Sequence, residues 1–312
     1  MQVAAGAASD LVDRFEELLA KHSISVPRHA ETGADMLPFR SILDRLKAGF
    51  SGTPDDLRTD YTAAIAVHDL AAKVLQVKDH PRFRDLLPHL EILAKGAIHL
   101  TEPPPAYPDG YNKLIEVYWA CLALSAGLTI DLDHPTDSTG RNPDVITSAS
   151  TRPSRHGYAF KTIRSPYAQS ILTHLEKGVD QIQRSNCSES IVALHLTPRL
   201  QSADIWPAGG SFLHWGQPAI AVASACHAML TEVVTDNGMA KIDDIFRGTK
   251  VAGVVLCLGF CPTVAINPLT GRPTMMPLKV ATLVEISQLN PLSGSFFSEL
   301  TGLNHQMQTV LG

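Results

Sequence analysis

The sequence of 312 residues has few cysteines, little excess of either charge and none of the common short catalytic motifs. Its 5 cysteines contain no double C-x-x-C spacing, which argues against a zinc site and favours reduced, buried thiols in a cytoplasmic protein. The 26 Lys and Arg against 31 Asp and Glu give a net charge of -5, so basic charge does not coat the surface, although a local basic cleft is compatible with it. The absence of G-x-S-x-G, G-x-x-x-x-G-K-[ST], G-x-G-x-x-G and H-E-x-x-H argues against a serine hydrolase of that type, a nucleotide-binding loop and a zincin.

The sequence also lacks an apolar run long enough to cross a bilayer as a helix. The longest run, 251–266, contains Gly and Pro and is too short. The first residues show no basic start followed by an apolar stretch, so no signal peptide is expected. With 45% hydrophobic and 18% charged residues, we predict a soluble protein with a packed core and no membrane partner.

Residues 1–100 are predicted to form an all-helical domain, because apolar residues recur at helical spacing over 41–50, 54–77 and 81–99. Four prolines within 101–110 are incompatible with a helix or a central strand, so this segment is predicted to be a stiff linker. The pattern of the helical domain does not distinguish a surface for homo-oligomers or partner proteins from a sensing role.

Residues 111–312 change character, and their patterns predict an α/β domain with a mixed central sheet flanked by helices. The predicted elements are a buried helix over 111–126, strands over 128–133, 144–150 and 158–163, a helix over 166–184, a strand over 191–197, a helix over 219–235, strands over 251–264 and 278–287, and a last helix over 295–311.

Glu116 is a carboxylate in a helix that is apolar nearly all round. A buried carboxylate must be paired, bound to a metal or protonated. The alternatives that remain open are a single solvent-facing position and a structural pair with Lys or Arg.

Asp144 and Lys161 are the other two charges in apolar surroundings. Asp144 follows Pro143 where a loop enters a strand, and Lys161 shares a strand face with Ala159 and Ile163. In a hairpin Asp144 and Lys161 can meet, although a turn aspartate and an edge-strand lysine are the structural alternatives. Two carboxylates there could hold a divalent cation through oxygen ligands, which would activate water, while the lysine orients that water or neutralises developing charge.

At these residues the sequence resembles the PD-(D/E)XK nuclease-like superfamily. The matching pieces are the helix with an inward Glu116, the Pro143-Asp144 strand start, the strand with Lys161, the helix containing 176–182 and the apolar strand 191–196. The resemblance covers about residues 111–200. It implies a restriction-endonuclease-like core, with Gln181 supporting the site.

The superfamily pattern has an Asp or Glu two residues before the lysine. This sequence departs from it, because the residue at that position is Ala159. Three explanations are open: the ligand has moved to another element, with Glu116 or Glu176 as candidates; the site is inactive; or the chain carries an inactivating substitution.

The resemblance implies a divalent-metal-dependent nuclease that hydrolyses phosphodiester bonds of DNA or RNA by in-line attack of water. Asp144 and Glu116 would hold Mg²⁺ or Mn²⁺, Lys161 would orient water or stabilise charge, and Gln181 would support them. The alternative is a catalytically inactive nuclease-like fold that binds nucleic acid or protein.

Two further features of the sequence, a histidine and a group of basic residues, have ordinary structural explanations. His195 lies between two leucines of a predicted strand and is expected to be a core histidine with satisfied hydrogen bonds rather than a phosphate or metal contact.

A group of basic residues could form a rim that attracts phosphate. Its members are Arg152, Arg155, His156, Lys161, Arg164 and Arg184.

Overall fold

The chain forms a mixed six-stranded sheet with helices on both faces, which confirms the predicted α/β class. This computed structural model describes residues 5–27, 36–49, 54–99, 110–133, 142–149, 154–200, 205, 211–214 and 216–309. The predicted linker lies outside the described residues except for Gly110, which begins a helix.

The helices are α1 (Ala5–Lys21), α2 (Phe39–Ala48), α3 (Pro54–Val77), α4 (Leu87–Lys95), α5 (Gly110–Ser125), α6 (Ala168–Gln183), α7 (Gly216–Asn237), α8 (Met239–Phe246) and α9 (Gly294–Gln308). The strands are β1 (Met36–Pro38), β2 (Ala97–His99), β3 (Thr129–Leu132), β4 (Val145–Ser148), β5 (Arg155–Thr162), β6 (Glu189–His195), β7 (Val251–Ile266) and β8 (Pro273–Glu285).

Among the described residues after residue 110, the order of α-helices and strands differs from the predicted order by one helix, α8. Gly238 has a φ of 79°, a left-handed conformation that favours glycine, and it separates α7 from α8. The sequence analysis did not predict α8, a helix of 8 residues whose apolar pattern is short.

The N-terminal part is not entirely helical, which corrects one prediction. Strands β1 and β2 form a small antiparallel pair, and α4 ends at Lys95 instead of continuing to residue 99. Gly96 ends the helix with an extended backbone, and a Cβ added to it would lie 3.0 Å from Gly110 Cα. The close approach of these two glycines therefore turns the chain into β2.

Strands β3 to β8 lie side by side in their sequence order. The pairs β3–β4, β4–β5 and β7–β8 are antiparallel, whereas β5–β6 and β6–β7 are parallel. Helix α6 joins β5 to β6, as a parallel pair requires a crossover connection.

Alternate residues of the central strands point to two separate cores. Tyr158 and Phe160 of β5 belong to the core that contains α5, α9 and the N-terminal helices. Ala159 belongs to the core under α6, α7 and α8. Because α5 is covered by α3 and α4 as well as by the sheet, nearly every side of it is buried.

Helix α7 is the one helix in the described part of the chain that is long and apolar enough to cross a membrane, by length and composition only. It packs on the sheet through residues at helical spacing: Val222, Cys226, Leu230 and Val233. The most apolar stretch of 18 residues in this helix is 28% buried within the structure.

Candidate functional site

Asp144 lies at the entry of β4, directly after Pro143. The register pairs Val145 with Tyr158, so Asp144 lies beside the following residues of β5. Its Oδ2 accepts a hydrogen bond of 2.6 Å from the backbone N–H of Phe160. This bond fixes the carboxylate where the hairpin of β4 and β5 begins.

Lys161 and Gln181 complete a hydrogen-bonded triangle with Asp144. The Lys161 ammonium donates to Gln181 Oε1 at 2.7 Å and lies 3.7 Å from Asp144 Oδ2. Gln181 Nε2 donates to Asp144 Oδ1 at 3.1 Å and to the Asn142 carbonyl at 2.6 Å. The Lys161 and Asp144 side chains are 18% and 17% exposed, so solvent reaches this arrangement.

Glu116 lies in α5 with its side chain buried. Its Oε2 accepts a hydrogen bond from the Lys113 ammonium one helical turn earlier, and His89 Nδ1 lies 3.9 Å away. The carboxyl therefore has the lysine partner that the structural alternative anticipates.

Glu116 also interacts electrostatically with the Asp144 triangle. Burial, and then repulsion from the Asp144 carboxylate, raises the pKa of Glu116 to about 8, although Lys113 and Lys161 act in the opposite direction. The carboxyl is consequently protonated over much of the neutral range, and it ionises at mildly alkaline pH.

We expect the free energy of unfolding of the wild type, relative to that of the Glu116→Gln variant, to fall as the pH rises from about 5 to about 8. The folded-state pKa of Glu116 lies above its ordinary value of 4.5, so the folded chain holds a proton that the unfolded chain has lost. That contribution is fully present below the ordinary pKa and disappears as the pH passes through the folded-state value. Urea midpoints in EDTA at several pH values measure the slope.

Glu176→Gln is the matched control, because Glu176 is an exposed glutamate on α6. This variant should keep the wild-type slope. An equal slope in Glu116→Gln and wild type would contradict the raised pKa.

The structure brings three of the four side chains predicted as site residues into direct contact: Asp144, Lys161 and Gln181. The fourth, Glu116 of α5, contacts Lys113 and interacts with Asp144 and Lys161 electrostatically. We call these four residues the hairpin cluster. Strand β5 lies between β4 and β6, so edge protection does not explain Lys161.

Ala159 lies on the same sheet face as Lys161 and is fully buried in the core beneath α6. Glu176, one candidate for a relocated ligand, is exposed on α6, and no contact between described residues joins it to Asp144 or Lys161. Glu116, the other candidate, interacts with Asp144 electrostatically.

His195 is buried and satisfied on both ring nitrogens. Its Nε2 lies 2.7 Å from Thr197 Oγ1 and its Nδ1 3.3 Å from Thr162 Oγ1. Burial, with a smaller effect of Arg164, lowers the pKa of His195 to about 3, so the ring is neutral. This arrangement agrees with the interpretation as a core histidine.

The basic rim is not assembled as expected. His156 is buried under α9, where its ring stacks on the Phe296 ring with the two ring centroids 4.3 Å apart. It therefore cannot contribute to a surface that attracts phosphate. Arg155 pairs with Asp131 at 2.8 Å, and Arg184 with Asp180 at 2.6 Å. Arg152 lies outside the described residues.

The sequence analysis missed a second polar cluster on the opposite face of the hairpin. Glu299 of α9 accepts hydrogen bonds from Tyr158 OH at 2.7 Å, from His156 Nδ1 at 2.8 Å and from Thr147 Oγ1. Burial alone would raise the pKa of Glu299, but these bonds outweigh it and lower the pKa. No local pattern signals this cluster, because Glu299 lies 141 to 152 residues from its partners.

No family model, curated protein or solved structure matches this chain.

Proposed function

We propose that the protein is a divalent-metal-dependent nuclease that hydrolyses phosphodiester bonds of DNA or RNA on a restriction-endonuclease-like core. The observation that carries the proposal is the hairpin cluster. An acid at a strand start, a lysine on the next strand and a glutamine from the following helix are in contact, and the acid from the preceding helix interacts with them electrostatically.

The connectivity supports the same proposal. Elements α5, β3, β4, β5, α6 and β6 follow one another, with two antiparallel pairs and then one parallel pair. This order contains, in sequence, the pieces that carry the resemblance to the PD-(D/E)XK superfamily: the helix of Glu116, the strand after Asp144, the strand of Lys161, the helix of Gln181 and an apolar strand.

The donor set fits Mg²⁺ or Mn²⁺ held in a sparse site. Among the described residues no three His, Cys, Asp or Glu side chains are grouped closely enough to hold a metal ion. Mg²⁺, however, usually takes one or two carboxylates and fills its remaining positions with water and substrate phosphate oxygens. Asp144 and Glu116 would supply those two carboxylates, and Glu116 would release its proton when the metal binds. A bound metal would polarise the phosphate and lower the pKa of water.

The protein side chains would have distinct tasks during hydrolysis. The Lys161 ammonium would stabilise negative charge on the phosphate oxygens as water attacks in line with the leaving oxygen. Gln181 would act as a positioning residue, because it bonds to both Lys161 and Asp144 and so fixes their separation.

The proposal is tested by cleavage of labelled DNA and RNA with Mg²⁺ or Mn²⁺, comparing wild type with Ala159→Glu. We expect wild-type cleavage to require metal. A glutamate at position 159 would lie on the Lys161 face beside Asp144, and we expect it to increase the rate at limiting metal by about tenfold. Because Ala159 is fully buried, thermal melting must show that the variant is folded.

A second candidate function is a binding module without catalysis. Ala159 packs in the core. The carboxylates of Glu116 and Asp144 already have partners within the protein, which are Lys113, Lys161, Gln181 and the Phe160 N–H. Absence of metal-dependent cleavage in both the wild type and a folded Ala159→Glu variant would contradict the nuclease proposal and favour this candidate.

A further inference from the structure

A polar pocket of about 510 Å³ opens beside the hairpin cluster. Four segments form its walls: β3 and the residue after it, the start of β4, the start of β5 and the residues after α6. The lining residues are Asp131, Leu132, Asp133, Asn142, Pro143, Ile146, Arg155, Arg184 and Asn186.

The pocket and the hairpin cluster share one turn and one sheet face. Asn142 and Pro143 line the pocket, and the Asn142 carbonyl accepts the hydrogen bond from Gln181. Side chains alternate along a strand, so Arg155 lies on the same face of β5 as Lys161. Arg155 and Lys161 are six residues apart on this strand, a separation of roughly 20 Å at about 3.3 Å per residue.

The lining combines an apolar surface with hydrogen-bonding groups of both kinds. Leu132, Pro143 and Ile146 supply the apolar part. Arg155 pairs with Asp131 at 2.8 Å and Arg184 with Asp180 at 2.6 Å, and each guanidinium has further N–H donors beyond its pair. Arg155 Nε is buried with no hydrogen-bond partner among the described residues. A ligand with a flat apolar face, a polar edge and an anionic group matches this set.

The acidic side of the pocket adds a preference among such ligands. Asp131 and Asp133 are carboxylates, which only accept hydrogen bonds when ionised. The exocyclic amino groups of cytosine, adenine and guanine are donors, whereas thymine and uracil have carbonyl oxygens and no amino group. The carboxylates therefore favour bases that carry an amino group over thymine and uracil.

We propose that this pocket binds one unpaired nucleotide of the strand that is cut, with its phosphate on Arg155 and Arg184 and its base edge on Asp131. The inference rests on the proposed function and names its substrate class as single-stranded nucleic acid. The volume lies within the range of about 300–1,000 Å³ that suits one small ligand. Proteins that bind single strands hold splayed bases in such pockets, whereas a duplex is contacted through its grooves and backbone.

The test is fluorescence anisotropy in EDTA, which prevents metal-dependent cleavage. The probes are single-stranded alternating adenine–cytosine oligonucleotides of about 16 nucleotides, as DNA and as RNA, with oligothymidylate, oligouridylate and a blunt duplex as competitors. Asn186→Trp fills the pocket from an exposed position, and its matched control is Gln183→Trp, an exposed residue of α6 outside the lining.

A second pair of variants tests the phosphate contact. Arg184→Glu reverses a charge in the pocket lining. Arg247→Glu is the matched control, because Arg247 is also exposed and, like Arg184, pairs with an aspartate close to it in the sequence. We expect Asn186→Trp and Arg184→Glu each to weaken single-strand binding about tenfold. Both controls should stay within about twofold of wild type.

Equal competition by the duplex, equal affinity for oligothymidylate, or wild-type binding by Asn186→Trp would overturn the pocket assignment. No binding of any probe would also overturn it. If single-strand binding follows the expected pattern but no variant cleaves with metal, the pocket assignment stands and the nuclease proposal falls. If metal-dependent cleavage occurs and Asn186→Trp does not affect it, the nuclease proposal stands and the pocket assignment falls.

Discussion

Replacing Lys161 by alanine is expected to reduce metal-dependent cleavage by about 100-fold or more, which is the usual cost of removing one group that stabilises charge in a transition state. The Lys161 ammonium lies next to Asp144 in an accessible cluster, so its loss removes positive charge where negative charge would develop. Single-turnover rates on a labelled oligonucleotide at saturating Mg²⁺ measure the effect. Asp144→Asn should produce a loss of similar size, because it removes a carboxylate proposed to hold the metal.

Lys177→Ala is the matched control, since Lys177 is an exposed lysine of α6. Its rate should equal that of the wild type. Far-ultraviolet circular dichroism and melting curves establish that each variant is folded. Retention of more than about one tenth of the wild-type rate by folded Lys161→Ala would contradict the role assigned to this lysine.

Replacing Glu299 by alanine is expected to lower the free energy of unfolding by about 3–5 kcal/mol, the range for breaking a buried, hydrogen-bonded charge cluster. The substitution removes the acceptor of three hydrogen bonds and leaves Thr147, His156 and Tyr158 in the core without it. Each uncompensated buried donor carries a desolvation cost of about 1–3 kcal/mol. Urea denaturation at pH 7 measures the change.

The control for Glu299→Ala is Glu232→Ala, on the exposed side of α7, which should change the free energy of unfolding by no more than about 0.5 kcal/mol.

The lowered pKa of Glu299 means that its carboxylate stabilises the fold above its ordinary pKa, and that this contribution is lost as the pH falls through the folded-state value. The difference between Glu299→Ala and wild type should therefore shrink in acid. A difference independent of pH would show that the loss is one of packing alone.

The order of elements was predictable because local patterns encode it, whereas the choice of Gln181 came from the resemblance to the PD-(D/E)XK nuclease-like superfamily. Strand alternation placed Lys161 on a defined face, and Pro143 fixed where the strand of Asp144 begins. A buried helix with one inward acid identified Glu116. These signals depend on spacing within about 20 residues, and such spacing is visible in a single sequence.

The Glu299 cluster and the burial of His156 were not predictable from the sequence. His156 adjoins Arg155 in a turn-rich stretch, and local reasoning therefore placed it at a basic surface. Its burial depends on α9, which follows more than 130 residues later and supplies both the stacking ring of Phe296 and the Glu299 carboxylate. Strands β1 and β2 escaped prediction for the same reason, since each consists of 3 residues and forms only through pairing with the other.

The side-by-side arrangement of β3 to β8 in sequence order has a consequence for how the chain is synthesised. Each strand can pair with its predecessor soon after it leaves the ribosome, so most of the sheet needs only neighbouring segments. The hairpin of β4 and β5 is the exception, because Thr147, His156 and Tyr158 receive their acceptor only when α9 has emerged. We expect nascent chains that stop before α9 to hold a paired sheet whose hairpin stays loosely fixed and sensitive to protease.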